Sequence, residues 1–379
     1  MFEIGYPAYS VSPGCLPKTV YIAGGGGKSK VGIDNSLKVA QLEKKGLQLV
    51  HKYDFDDVVS MVTYDTNGQK FIAAAIGPCI KLFDKKFHEL SSFDTETTEL
   101  LFRNIEFSPD SKKLIAIDGS NVIYLLSVPG LRLLGKSETS LSDTGKVLVQ
   151  RGLFYKHKPD SYCILVANAK GIKMLEPNEH LDVIASTDDD FGCEPRNVSV
   201  YNDLITVCGN NVAERKCLIV QAQYKDDKLQ IIKRKEHIKI LITAAHSNEK
   251  EIALGTCNGD VHVLERNTLK QIYYRKEVHK SPITSITQIE DAVITSSIDR
   301  RSAVVRRPKG SLLPFGIFLM LLMLLISFYV YLVVYEGRKP ENDLQLAKEF
   351  LENYYNKTST AIMTKFGEIK EKIEVLKKK

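Results

Sequence analysis

The sequence predicts an all-β fold, a closed ring of seven four-stranded sheets, followed by one apolar helix and a charged tail. Three observations carry that expectation. Short runs rich in β-branched and aromatic residues recur over the first 299 positions, among them Phe71–Ile76, Leu114–Ile117, Val122–Leu126, Cys163–Ala167, Leu204–Cys208, Lys239–Thr243, Glu251–Gly255, Asp260–Leu264 and Ala292–Ser296, with no long amphipathic helical stretch between them. Turn signals such as Pro109-Asp110, Asp118-Gly119, Asn258-Gly259-Asp260 and Glu290-Asp291 recur at the spacing of antiparallel hairpins. A longer repeat is also visible, and about 300 residues at ~40–45 residues per unit give seven units, with six as the other count.

That repeat is carried by Phe107-Ser108-Pro109-Asp110 before a strand, by the stretch Leu254–Leu264, and by His279-Lys280-Ser281-Pro282 leading to Ser296-Ser297-Ile298-Asp299. These pieces resemble the WD-repeat unit, which supplies one four-stranded blade of a β-propeller. The chain has no Trp, so the signature dipeptide is missing everywhere and the repeats are degenerate. The N-terminal segment Phe2–Val11 is apolar enough for a strand, and in closed propellers such a segment completes the last blade.

The charge of the chain is local. There are 52 basic and 46 acidic residues, yet residues 1–299 hold 37 and 38, while Arg300–Lys309 adds five positive charges and no negative one. A near-neutral ring argues against nucleic acid as a partner. The basic cluster is explained by the segment after it: Gly310–Tyr335 contains no charged residue, and about 25 helical residues reach ~37 Å, enough for a ~30 Å hydrocarbon layer. Tyr329, Tyr331 and Tyr335 suit an interface, and the basic excess before the span places the N-terminal side in the cytosol. The expected divisions are a cytosolic propeller over 1–305, a transmembrane helix over 311–335 and a lumenal tail over 336–379. No cleavable signal peptide is read at MFEIGYPAYS. All seven cysteines precede the span without C-x-x-C pairing, which suits a reduced compartment. In the tail, Asn356-Lys357-Thr358 is a glycosylation acceptor if that side is lumenal. Ile362, Phe366, Ile369, Ile373 and Leu376 form an apolar stripe for a short helix that pairs weakly with another chain or lies on the leaflet, with disorder as the alternative.

One stretch stands apart. Gly24-Gly25-Gly26-Gly27 comes after a strand pattern and leads through Lys28-Ser29-Lys30-Val31 to Gly32-Ile33-Asp34-Asn35. Four consecutive glycines cost backbone entropy, so they suggest conformations or close approaches that side chains forbid. A nucleotide-binding P-loop fails on spacing, because Ile22 sits where its first Gly belongs and the residues after Ser29 have a strand pattern. A serine-hydrolase elbow fails because Val31 stands where its second Gly belongs. A long hairpin loop with no further role is the structural alternative.

Gly5-Tyr6-Pro7-Ala8-Tyr9, then the glycine run, then Gly-Ile-x-Asn at Gly32–Asn35, resembles the endoplasmic-reticulum guanine-nucleotide exchange factors for the Sar-type small GTPase, the prolactin regulatory element-binding protein family. That family starts COPII coat assembly for ER-to-Golgi transport and is a seven-bladed propeller on a single C-terminal anchor. The resemblance covers about 35 residues; over the rest of the chain the likeness is architectural. It implies a protruding loop, stiffened in some members by potassium, that enters the nucleotide site of the GTPase. The family's key asparagine falls on Asn35, which the resemblance makes the catalytic group inserted into the GTPase, its neutral amide with two donors and an acceptor competing for switch or phosphate-binding groups. Ile33 anchors the loop or meets the partner, Gly24–Gly27 and Gly32 allow its turns, and Asp34 lies beside them. Lys28 and Lys30 are at odds with a cation site. A functional acidic residue of the family aligns best with Asp57, in Asp54-Phe55-Asp56-Asp57, which also reads as a solvated turn.

Asp188-Asp189-Asp190 and Lys233-Arg234-Lys235 read as solvated loop charges, and no histidine spacing supports metal or triad chemistry. The expected function is non-covalent nucleotide exchange on a Sar-type GTPase at the endoplasmic reticulum membrane, with no tightly bound cofactor beyond a candidate potassium ion. The alternative is a membrane-tethered propeller scaffold without exchange activity.

Overall fold

The structure is a computed structural model that describes residues 1–28, 32–95, 101–137, 151–158, 161–187, 191–307 and 313–335. The chain divides into two compact units, Met1–Arg307 and Pro308–Lys379.

The first unit is a seven-bladed β-propeller. Its chain opens with a two-residue strand β1 (Phe2–Glu3) and then builds blade one from β2 (Ala8–Pro13), β3 (Thr19–Gly24), β4 (Ser36–Glu43) and β5 (Gly46–Asp54). Blade two holds β6 (Val59–Tyr64), β7 (Phe71–Ile76), β8 (Cys79–Asp84) and β9 (Glu89–Asp94). Blade three holds β10 (Asn104–Phe107), β11 (Lys113–Ile117), β12 (Ile123–Ser127) and β13 (Leu133–Ser137). Blade four holds β14 (Arg151–Lys158), β15 (Ser161–Asn168), β16 (Gly171–Leu175) and β17 (Val183–Ser186). Blade five holds β18 (Glu194–Tyr201), β19 (Leu204–Asn211), β20 (Lys216–Lys225) and β21 (Lys228–Glu236). Blade six holds β22 (Ile242–Ser247), β23 (Glu251–Thr256), β24 (Val261–Glu265) and β25 (Gln271–Arg275). Blade seven holds β26 (Ile283–Ile289), β27 (Ala292–Ser297) and β28 (Arg301–Arg306), whose free edge is taken by β1 through the pairs Phe2↔Ser302 and Glu3↔Arg301. Pairing the chain's own beginning with β28 ties the two ends of the ring together and leaves only a short strand at the edge of the terminal blade.

Burial tracks position within each blade. The second strands are covered on both faces by neighbouring blades and read as nearly continuous apolar runs, as in β7 (FIAAAI) and β11 (KLIAI). The fourth strands form the rim and alternate, as in β21 (KLQIIKRKE). The core therefore lies between blades: one cluster joins Leu165 and Met174 of blade four to Val207 and Val220 of blade five. In blade seven His279 bridges Asp299 at 3.0 Å and Thr295 Oγ1 at 2.9 Å, tying the turn before β26 to the β27–β28 turn, an arrangement compatible with a WD-repeat propeller. All seven cysteines are free.

Three expectations change. Phe2–Val11 is not one strand: Gly5, at φ +87°, and Pro7 break it, so its first part closes blade seven and its last part opens blade one. Lys239–Thr243 shifts to Ile242–Ser247, because Asn210 takes both backbone groups of Ile242, receiving its N–H at 2.9 Å and donating to its carbonyl at 2.7 Å. Lys233-Arg234-Lys235 lies on β21 rather than in a loop, and Lys233 and Lys235 donate to the carbonyls of Asn267 and Leu269 in the next blade at 3.1 and 2.6 Å.

In the second unit the described element is one helix, α1 (Leu313–Tyr335), 23 residues without an acidic or basic side chain. Its side chains are described from Met320 to Tyr331, all exposed. Among the described residues no helix is long and apolar enough to cross a membrane. The apolar stripe of the tail, Asn356 and Asp188–Asp190 lie outside the described residues.

Candidate functional site

The glycine-rich segment is the connection between β3 and β4. The pairs Ala8↔Gly24 and Gly24↔Ser36 put it at the end of the ring where the inner strands begin. Its root is tightly packed. A Cβ on Gly24 would stand 2.0 Å from the Pro7 carbonyl oxygen and 2.8 Å from Ala8 Cα, both backbone atoms that cannot give way. The next residue, Gly25, donates its N–H to that same Pro7 carbonyl at 3.1 Å, and Tyr6 donates its hydroxyl to the Ile22 carbonyl at 3.0 Å. Gly26 leaves room for Ile33, whose Cβ would lie 2.8 Å from an added Cβ. Farther out the demand is conformational: Gly27 and Gly32 have open space around them but φ of +79° and +71°.

Asn35 holds the loop shut. Its Oδ1 accepts the Gly27 N–H at 2.9 Å and its Nδ2 donates to the Gly27 carbonyl at 3.0 Å, with a longer contact to the Asp56 carbonyl at 3.4 Å. Its own carbonyl accepts the Phe55 N–H at 2.9 Å, so the loop is tied to the Asp54–Asp57 segment. The amide is half-buried and turned inward. Ile33 packs on the apolar cluster between blades one and seven that contains Ile4, Tyr6 and Ile22.

Charges surround this brace. Asp34 is exposed and meets Lys52 Nζ at 2.6 Å; the lysine's hydrogen bond holds the Asp34 carboxyl below its ordinary range. Lys52 also reaches Asp54 at 2.9 Å and is pushed well above its ordinary value by the two carboxylates, Asp34 first. Asp57 is mostly buried, accepts the Val58 N–H at 2.8 Å and lies 3.6 Å from the exposed ammonium of Lys28. The structure thus brings together Gly24–Gly27, Gly32, Ile33, Asp34, Asn35 and Asp57, while Asn356 is outside the described residues. Sequence reasoning missed Lys52, whose place opposite Lys38 in the β4–β5 register aims it at the loop, and gave no role to Tyr6.

Among the described residues, Asn35 Oδ1 and the Gly27 carbonyl oxygen each accept an N–H of the other residue, and the Lys28 ammonium shares the loop. Among the described residues no three His, Cys, Asp or Glu side chains gather as a metal site.

Fold and site together define a seven-bladed propeller that presents a braced, glycine-rich loop at one end of its ring. Compared with family models and with curated proteins, the chain matches none.

Proposed function

We propose that the protein is a guanine-nucleotide exchange factor for a Sar-type small GTPase, anchored in the endoplasmic reticulum membrane, where it starts COPII coat assembly. The observation that carries the reading is the contact set of the loop. The three sequence pieces that carry the family resemblance, Gly5–Tyr9, Gly24–Gly27 and Gly32–Asn35, bond and pack against one another as a single built feature. A loop without a role has no need of that coupling.

Exchange requires no covalent step. A factor that binds the nucleotide-free GTPase more tightly than the loaded one weakens GDP binding by the same ratio. In this reading Asn35 is a positioning residue, its amide spent on Gly27 and Asp56, and the exposed Lys28, Gly32 and Asp34 meet the partner. Asp57 and Lys52 fix the flanks. No step runs through a cation.

The anchor belongs to the same proposal. Its basis is the sequence: Gly310–Tyr335 carries no charge, and a helix of about 25 such residues at 1.5 Å each would reach ~37 Å against a ~30 Å hydrocarbon layer, although the side chains described on α1, Met320–Tyr331, are too few to span it. The basic residues Arg300, Arg301, Arg306, Arg307 and Lys309 before it put the propeller in the cytosol and the tail in the lumen. Glycosidase-sensitive modification of Asn356 in microsomes is the expected result, and protease cleavage of the tail in sealed microsomes overturns the orientation.

A membrane-tethered scaffold without exchange activity is the second reading, favoured by one observation: the Asn35 amide is already hydrogen-bonded internally. Release of a fluorescent GDP analogue from a Sar-type GTPase, with the full chain in liposomes, separates the two. Acceleration that Asn35→Ala abolishes supports exchange; release at the intrinsic rate leaves the scaffold.

A further inference from the structure

The end of the ring that carries the loop also holds the mouth of the central channel, because both lie where the inner strands begin. A cavity of about 630 Å³ opens there, and among the described residues its lining includes Arg103, Arg151 and Arg196 but no carboxylate. Arg103 stands just before β10, Arg151 opens β14 and Arg196 lies near the start of β18, so three consecutive blades each contribute one guanidinium.

These groups are poorly satisfied. Nη1 of Arg103 and Nε of Arg196 are buried with no hydrogen-bond partner among the described residues. Arg151 donates to Asn104 Oδ1 at 3.2 Å, and Arg196 Nη2 lies 3.5 Å from the carboxylate of Glu194, two residues earlier on β18. Glu106 lines the channel with Arg151 and attracts it, but no ion pair among the described residues joins them. Buried donors without partners cost free energy, and the two on Arg103 and Arg196, in one cavity with Arg151, make a place for an anion. The guanidinium fork matches phosphate oxygens in pairs. A group bearing several phosphate charges offers oxygens to more than one guanidinium fork, whereas a lone carboxylate serves one.

We propose that the channel mouth is a binding site for a compact, multiply charged phosphate group. The site is separate from the loop and independent of the exchange reading.

The full chain in detergent is titrated calorimetrically with inorganic pyrophosphate and, separately, with inositol hexakisphosphate, against citrate as a carboxylate of comparable charge. Saturable one-site binding of either phosphate probe is expected, the better probe indicating whether a diphosphate or an inositol phosphate is the source. Citrate should bind more weakly. Arg103→Gln and Arg196→Gln should each weaken the phosphate probe about tenfold or more, the share of one charge-assisted hydrogen bond. Circular dichroism checks that each variant is folded; if one is not, Arg103→Lys, which keeps the charge and loses the fork, should still weaken binding. No saturable heat with either phosphate up to about 1 mM, citrate binding as tightly as phosphate, or unchanged binding in the folded double variant overturns the proposal.

Discussion

Asn35→Ala removes the side chain that closes the glycine loop and leaves the backbone of both flanking strands intact. Two well-placed hydrogen bonds to Gly27 disappear, at 2.9 and 3.0 Å, and a third contact at 3.4 Å is too long to count for much. At about 0.5–1.5 kcal/mol net for each bond, the loop should lose about 1–2 kcal/mol of local stability once the freed Gly27 groups reach water. That corresponds to a roughly 5- to 30-fold loss of protection. Hydrogen exchange of the peptide containing Gly27 measures it, with the amides of β7, buried in the ring, as the unaffected reference. Asn35→Asp sharpens the test, since a carboxylate still accepts the Gly27 N–H but no longer donates to the Gly27 carbonyl. It should fall between wild type and Asn35→Ala in protection at best. Unchanged protection in Asn35→Ala refutes the brace. A fall in nucleotide exchange with loop protection intact refutes the positioning role and makes Asn35 an inserted group instead.

Gly24→Ala should destabilise the ring by about 3 kcal/mol or more, because its Cβ meets the backbone of Pro7 and Ala8, whereas Gly27→Ala, with open space but a positive φ, should cost only about 1–2 kcal/mol; urea denaturation ranks them. Arg266 is buried, donates to the Leu204 carbonyl at 2.6 Å and lies 4.7 Å from the Tyr201 ring centroid, so Arg266→Lys should lose about 2 kcal/mol by the same assay although the charge is kept. Burial pushes the Glu106 carboxyl from 4.5 up to about 7, with Arg151 opposing, so between those values the native state keeps a proton that the unfolded chain releases. Stability should therefore fall as pH rises through that window, and Glu106→Gln should gain about 3 kcal/mol over wild type at pH ~8 and nothing at pH ~4.5, measured as urea midpoints.

Period and turn chemistry made the propeller legible: most of the expected strand runs fall on observed strands within a residue or two, since a second strand covered on both faces has to be an unbroken apolar run. The misses have local causes. Phe2–Val11 is apolar enough for a strand, and nothing in its hydropathy says that Gly5 and Pro7 divide it between the last blade and the first. Lys239–Thr243 has β-branched character, but the Asn210 side chain, 32 residues upstream in sequence, fixes the strand start at Ile242. In the candidate site the residue types were legible and their orientation was not. The amide that the sequence suggests as a free probe is held inward, because Gly25 leaves no Cβ in its way: one would lie 2.2 Å from Asn35 Oδ1.

The channel mouth shows a different limit. Arg103, Arg151 and Arg196 are spaced 48 and 45 residues apart, about one blade, so the repeat that predicted the ring also aligns them. Segment-wise charge counting hid them, since a segment's total does not tell at which phase of the repeat each charge falls. In a closed ring, residues at one phase converge on one level of the channel, and three like charges scattered through a neutral 299-residue stretch become a single electropositive cavity. For a propeller with degenerate repeats, charge tabulated by repeat phase is therefore more informative than net charge. The loop obeys the same rule: Gly24 pairs with Ala8 at the first residue of an inner strand, and that phase puts it at the end of the ring that holds the cavity.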